Sequence, residues 1–179
     1  PAAIDDGFSV FKEMSSEPLA LVGESAGGNL CLTLILRAFQ LGIRLPQAAA
    51  FLSPWCDLSN AGPSVVNNDG RDPALSAQHI DFAANYYVGE HDPTNPMISP
   101  IYGVFDKSFP PSIISTGSRD LLMSQATGLR DVLKDNNVPV ELCLWKDLWH
   151  VFEWDYRLPE SSESIRQISN WLQSYMPNF

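Results

Sequence analysis

Cysteine is scarce in this chain. Three residues (Cys31, Cys56 and Cys143) are scattered through 179 positions, too few and too far apart for a disulfide framework or a metal-ligand spacing. They read as small buried hydrophobes. Basic residues are scarce too: 11 Lys and Arg face 21 Asp and Glu, a formal charge of -10. That balance excludes the basic footprint that nucleic acid needs and disfavours an anionic membrane surface. No apolar run reaches the length of a membrane span, and no leader peptide opens the chain; the expected compartment is the cytoplasm, left open if an N-terminal segment is missing. There is no internal repeat and no linker-like stretch. One domain over residues 1–179 is expected, long enough to bury a real core.

The most informative stretch is Leu19-Ala20-Leu21-Val22-Gly23-Glu24-Ser25-Ala26-Gly27-Gly28-Asn29-Leu30. It reads as an apolar strand, a tight turn and an apolar helix. Gly23-Glu24-Ser25-Ala26-Gly27 fits the G-x-S-x-G spacing of a nucleophile elbow. In such a turn the serine backbone is strained, and the glycines two residues before and after it are expected to press on each other. The hydroxyl then projects from the top of a sheet. Behind it, the helix N-terminus offers free N–H groups where an oxyanion would be stabilised.

The rest of the chain alternates strand and helix. Residues 3–14 read as a helix with Ile4, Phe8 and Phe11 on one stripe, and 26–41 as a helix apolar nearly all round, stopped by Gly42. Strands are predicted at 19–22, 47–53, 112–116 and 138–145. Helices are predicted at 76–88 with Ser76 as N-cap, at about 121–136, and at 160–176 with Ile165, Ile168, Trp171, Leu172 and Tyr175 inward. Residues 55–71 read as loop, and the proline-rich 89–111 as an irregular excursion. Four strands alternating with helices predict an α/β fold: a mostly parallel sheet with helices on both faces. Ligands in such sheets bind beyond the carboxyl ends of the strands.

A serine nucleophile needs a base, and the base needs an orienting acid. Of three histidines, His79 falls inside a helix away from any strand end, and His91 lies in a polar loop. His150 closely follows the fourth strand, among aromatic residues. It is the candidate base. Asp120 follows the third strand and Asp57 the second. Asp120 is favoured because its strand would neighbour the one that carries His150. Arg119 is its nearest competing partner, while Asp147 and Asp155 look like surface carboxylates. Trp145, Trp149, Phe152 and Trp154 read as aromatic core, with an acyl pocket as the alternative.

These residues carry a family resemblance. Gly-Glu-Ser-Ala-Gly-Gly at 23–28, Leu-Ser-Pro-Trp-Cys-Asp-Leu-Ser at 52–59 and Ser-Pro at 99–100 occur in family order. Pro-Pro-Ser-Ile-Ile-Ser-Thr-Gly-Ser-Arg-Asp-Leu-Leu at 110–122 and Trp-His-Val-Phe at 149–152 complete the set. The chain resembles the hormone-sensitive lipase-like branch of the α/β-hydrolase superfamily. The resemblance implies Ser25 as nucleophile, Asp120 as acid, His150 as base and the Ala26 N–H as one oxyanion donor. It implies hydrolysis of small, short-acyl carboxylic esters with no cofactor and no metal. Glu24 stands where the family often has aspartate, and Val151 where it often has glycine. The family's upstream His-Gly-Gly-Gly stretch has no counterpart here. Loss of one such oxyanion donor typically costs roughly 10²–10³ in turnover. The expectation is therefore an N-terminally incomplete hydrolase, with the elbow strand as an exposed edge that a missing segment or a second copy could cover. The alternative is a catalytically impaired scaffold that binds a small ligand or a protein partner.

Overall fold

The computed structural model describes residues 2–176. Its centre is a four-stranded parallel sheet in the order β1-β2-β3-β4, formed by β1 (Ala20–Glu24), β2 (Ala48–Leu52), β3 (Ser112–Gly117) and β4 (Val140–Trp145). Ala20 pairs with Ala48, Ala49 with Ser112, and Ser112 with Val140. The two central strands are buried at every position. That is the signature of parallel strands covered on both faces. β1 lies at one edge, with Val22 more than half exposed.

Strand alternation assigns the two faces. Ala49, Phe51 and Ile114 meet helices α2 (Ser25–Gln40) and α5 (Met123–Asp135) through Leu32, Ile35, Leu36, Ala126, Leu129 and Leu133. Ala50, Leu52 and Ile113 meet α6 (Pro159–Tyr175) through Ile168, Trp171 and Leu172. Helix α1 (Ala2–Met14) buries Ile4, Phe8 and Phe11, and Phe8 and Phe11 pack on Leu34 and Ala38 of α2. So α2 is covered on two sides, as its apolar circumference predicts. It ends where expected: Gly42 follows at φ 64°, the left-handed conformation a glycine adopts without steric penalty.

Three readings change. Residues 55–71 are not all loop, since α3 (Pro63–Asn67) lies within them. Five residues are too short for a periodicity. Pro63 at the first helical position and the Ser64 hydroxyl, which donates to the Leu121 carbonyl at 2.5 Å, hold this turn in place. A single 3₁₀ turn, Pro100–Tyr102, likewise interrupts the 89–111 excursion. In α6, Ile165 is half exposed rather than inward. The inward stripe runs through Ser161 and Ser164 instead. Their hydroxyls donate to the Phe152 carbonyl and to Glu153 Oε1. A satisfied serine can occupy a buried face that a hydropathy pattern reserves for aliphatic residues. Helix α4 (Ala77–Val88) starts as predicted, with the Ser76 hydroxyl accepting from the His79 N–H. No helix among the described residues is long and apolar enough to cross a membrane.

Candidate active site

β1 passes directly into α2, and the turn is tight enough to force Ser25 to φ 49°. A non-glycine residue there costs on the order of 1–3 kcal/mol and persists only where its surroundings hold it. Two neighbours do so. A Cβ on Gly23 would collide with the Gly27 carbonyl oxygen and stand 2.8 Å from Cys31 Sγ. The Trp55 N–H, from the loop after β2, donates to the Ser25 carbonyl at 3.0 Å. The expectation that both flanking glycines are crowded holds only at Gly23. A Cβ on Gly27 would meet nothing among the described residues, and the second close approach falls on Gly28, 3.0 Å from Pro54 Cβ. Glu24 at the N-cap makes no side-chain hydrogen bond to the start of α2, so among the described residues the N–H groups beyond Ser25 carry no capping partner.

Ser25, His150 and Asp120 are brought together from three different strand ends. Ser25 Oγ lies 2.9 Å from His150 Nε2, and His150 Nδ1 lies 3.1 Å from Asp120 Oδ1. Asp120 is fully buried. Burial alone would push its pKa up. Hydrogen bonds from His150, the Leu122 N–H and Ser53, together with the electrostatic pull of the neighbouring imidazole, outweigh burial and hold the carboxyl below its ordinary value. Thr116 Oγ1 donates to its second oxygen at 2.9 Å. An ionised carboxylate at Nδ1 fixes the proton on that nitrogen and leaves Nε2 to accept from the serine hydroxyl.

The loop that delivers His150 needs a glycine beneath it. Gly117 ends β3, and a Cβ there would collide with the Leu148 carbonyl and stand 2.7 Å from Trp149 N. Val151, next to the histidine, is held at φ 46° although it is β-branched. Its N–H donates to Ser53 Oγ at 3.0 Å, and Ser53 itself sits at φ 46°.

The competing assignments fall away in space. Asp57 accepts from Ser59 and Tyr102, not from a histidine. Arg119 donates to the Arg71 carbonyl at 2.9 Å rather than pairing with Asp120. Asp155 pairs with Arg157, which holds its carboxyl at about 2. Glu24 accepts from the Trp154 indole N–H. Trp154 is 75% exposed, so the aromatic-core reading fails for it, while Phe152 is fully buried.

Two apolar recesses flank the serine. A cleft of about 570 Å³ runs beyond Ala26 and Gly27, walled by Leu30, Trp55, Phe82 and Tyr86 among others. A smaller one of about 190 Å³ contains Ser25 itself, with Trp55, Leu75, His79, Ile80 and Leu122. His79 therefore stands at the site after all. Its helix folds back over the strand ends, a placement that spacing along the chain does not reveal. Ser53, Asp72 and Thr116 also belong to the site, and none shows a motif. Among the described residues no three His, Cys, Asp or Glu side chains come together as a metal would require.

Comparison with known proteins agrees with this fold. Residues 1–154 match the model of a family described as α/β-hydrolase fold. An acetyl-hydrolase of Streptomyces hygroscopicus is 29% identical over 97% of the chain, and an esterase of Acinetobacter venetianus 26% over 97%. The chain spans 60% and 59% of these two relatives' lengths. Among solved structures, an esterase/lipase from an uncultured bacterium superimposes with a TM-score of 0.92 at 27% identity, covering 98% of this chain and 60% of that one. A hormone-sensitive lipase homologue from a metagenome library gives 0.92 at 30%, covering 98% and 62%.

Proposed function

Because the chain belongs to the α/β-hydrolase fold family, in its hormone-sensitive lipase-like branch, we propose that it hydrolyses carboxylic esters through Ser25, His150 and Asp120. The observation that carries this is the 2.9 Å approach of Ser25 Oγ to His150 Nε2 at a strained strand-to-helix turn. His150 Nε2 takes the hydroxyl proton as Ser25 Oγ attacks the ester carbonyl. The resulting imidazolium is balanced by buried Asp120, held in place by Thr116 and the Leu122 N–H. The tetrahedral oxyanion faces the start of α2, where the Ala26 N–H is the nearest donor by position and the helix dipole adds partial positive charge. His150 then returns its proton to the departing alkoxide, leaving an acyl-enzyme. Water repeats the sequence in reverse roles and releases the acid.

The substrates are small esters with short acyl chains. The recess that contains Ser25 measures about 190 Å³ and is lined mainly by Trp55, Leu75, Ile80, Ala83 and Leu122. An acetyl-hydrolase stands among the relatives, which supports the short-acyl reading. The test is turnover of p-nitrophenyl acetate and butyrate by the wild type and by Ser25→Ala. The variant is expected to lose at least about 10³-fold in kcat. Turnover that survives the substitution removes Ser25 as nucleophile, and ligand binding without turnover by the wild type points to a scaffold instead.

A further inference from the structure

Between α3 and α4 runs a segment, residues 68–76, that contributes nothing to the three reacting groups. It is nevertheless stitched to the loops that hold two of them. The Asn68 amide donates to the Asp120 carbonyl at 2.8 Å and to the Ser118 carbonyl at 3.2 Å. The Arg119 guanidinium donates to the Arg71 carbonyl. At the centre lies Asp72, a carboxylate only 6% exposed. It has no cationic partner among the ion pairs of the described residues.

Among the described residues, all the hydrogen bonds that Asp72 accepts come from backbone N–H groups. Oδ2 accepts from Leu121 N at 3.1 Å and from His150 N at 3.3 Å. Oδ1 accepts from Ala74 N at 2.8 Å and Leu75 N at 3.3 Å. Leu121 adjoins the acid, His150 is the base, and Leu75 walls the recess around Ser25. One oxygen thus bridges the β3 loop to the β4 loop, and the other ties that bridge to the pocket wall. A buried carboxylate is costly unless its lone pairs are used, and here four N–H donors use them.

We infer that Asp72 is a positioning residue for the proposed triad: it sets the spacing between the Asp120 loop and the His150 loop, so that the imidazole stands in reach of both Asp120 and Ser25. This rests on the triad reading given above. The geometry explains why a carboxylate is needed. An amide at position 72 has one acceptor atom. Whichever way it turns, its NH₂ faces two N–H donors, either those of Leu121 and His150 or those of Ala74 and Leu75. The loops then separate, or the wall lifts. A shift of about 1 Å at a reacting group can cost on the order of 10²-fold.

The experiment compares wild type, Asp72→Asn and Ile168→Val. The last trims a buried side chain on the opposite face of the sheet and serves as a stability control. Asp72→Asn is expected to lower kcat for p-nitrophenyl butyrate roughly 10- to 100-fold while KM moves less than about threefold. The far-downfield proton signal of the His150 Nδ1–H···Asp120 hydrogen bond is expected to shift or broaden. Ile168→Val is expected to change neither. Wild-type kcat in Asp72→Asn overturns the inference. So does a loss of kcat with that signal unmoved, or a loss equal to that of Ile168→Val at matched thermal stability. Should Asp72→Asn not fold, Asp72→Glu carries the test. It keeps the charge and both oxygens on an arm one methylene longer, and the same signal is expected to move, with kcat reduced about 3- to 30-fold. Wild-type kcat there overturns the inference equally. Failure of the triad reading shows separately, as activity retained in Ser25→Ala. The imidazole signal belongs to the 3.1 Å pair of His150 and Asp120 whether or not Ser25 is the nucleophile.

Discussion

Gly117→Ala tests whether His150, the proposed base, is delivered by a loop that needs an empty position beneath it. The new methyl carbon would stand 2.7 Å from Trp149 N and nearer still to the Leu148 carbonyl, both backbone atoms that no rotamer change can move aside. Ordinary contact begins at about 3.4 Å, so the 146–150 loop must retreat by roughly 1 Å. Retreat also stretches the 2.8 Å bond from Arg119 N to Leu148 O, which ties the acid loop to the base loop. His150 is one residue beyond Trp149, and its 2.9 Å approach to Ser25 has no slack for such a shift. The expected loss in kcat is about 10²-fold, or roughly 2.7 kcal/mol of transition-state stabilisation. Overpacking adds about 1–3 kcal/mol of lost stability, read as a lower Tm. The assay is p-nitrophenyl butyrate turnover at a temperature well below both melting points. A variant that keeps wild-type kcat would refute the claim that Gly117 sets the loop height.

Two further predictions use other parts of the site. Val151→Gly removes a left-handed β-branched residue, a gain of roughly 1–2 kcal/mol. It also removes a nearly buried side chain worth about 1.5–3 kcal/mol and adds about 0.5–1 kcal/mol of chain entropy. The net expectation is a Tm below wild type, and a rise in Tm shows that strain outweighs burial there. Glu153 is pushed up in pKa by burial and by the Asp120 charge, against hydrogen bonds from Ser115 and Ser164. The folded state therefore holds its proton more tightly than the unfolded state does, and stability falls as pH rises from the ordinary glutamate value through the raised one. Glu153→Gln is expected to gain stability over wild type above that window and nothing below pH 4. A gain in Tm that is independent of pH sinks the argument.

Legibility along the chain followed the range of the interactions involved. Ser25 was readable because its turn packs five neighbouring residues into one motif. The meeting of Asp120 and His150 is legible because a parallel sheet gathers its strand ends at one edge, and β3–β4 adjacency separates Asp120 from Asp57. Asp72 was not readable. It sits among Gly70, Arg71 and Pro73 as one more loop residue, and all that marks it are bonds to partners 49 and 78 positions away. His79 was misplaced for the same reason, since the helical period says which face is apolar but not where the helix docks. Ile165 was misread because serines with buried partners occupied the inward stripe. The crowding expected at Gly27 fell on Gly28 because only the fold brings Pro54 beside it.

The bond between Ser25 and His150 closes a loop of 125 residues, and the one between His150 and Asp120 a loop of 30. Neither can form from local chain order. The second requires β3 and β4 to be in register, and the first requires all four strands joined across three parallel pairings, the slow kind of contact in folding. On the proposed function, recovery of ester turnover after dilution from denaturant is therefore expected to follow the last long-range pairing to form. The contact between Ser25 and His150 thus doubles as a clock hand for completion of the sheet.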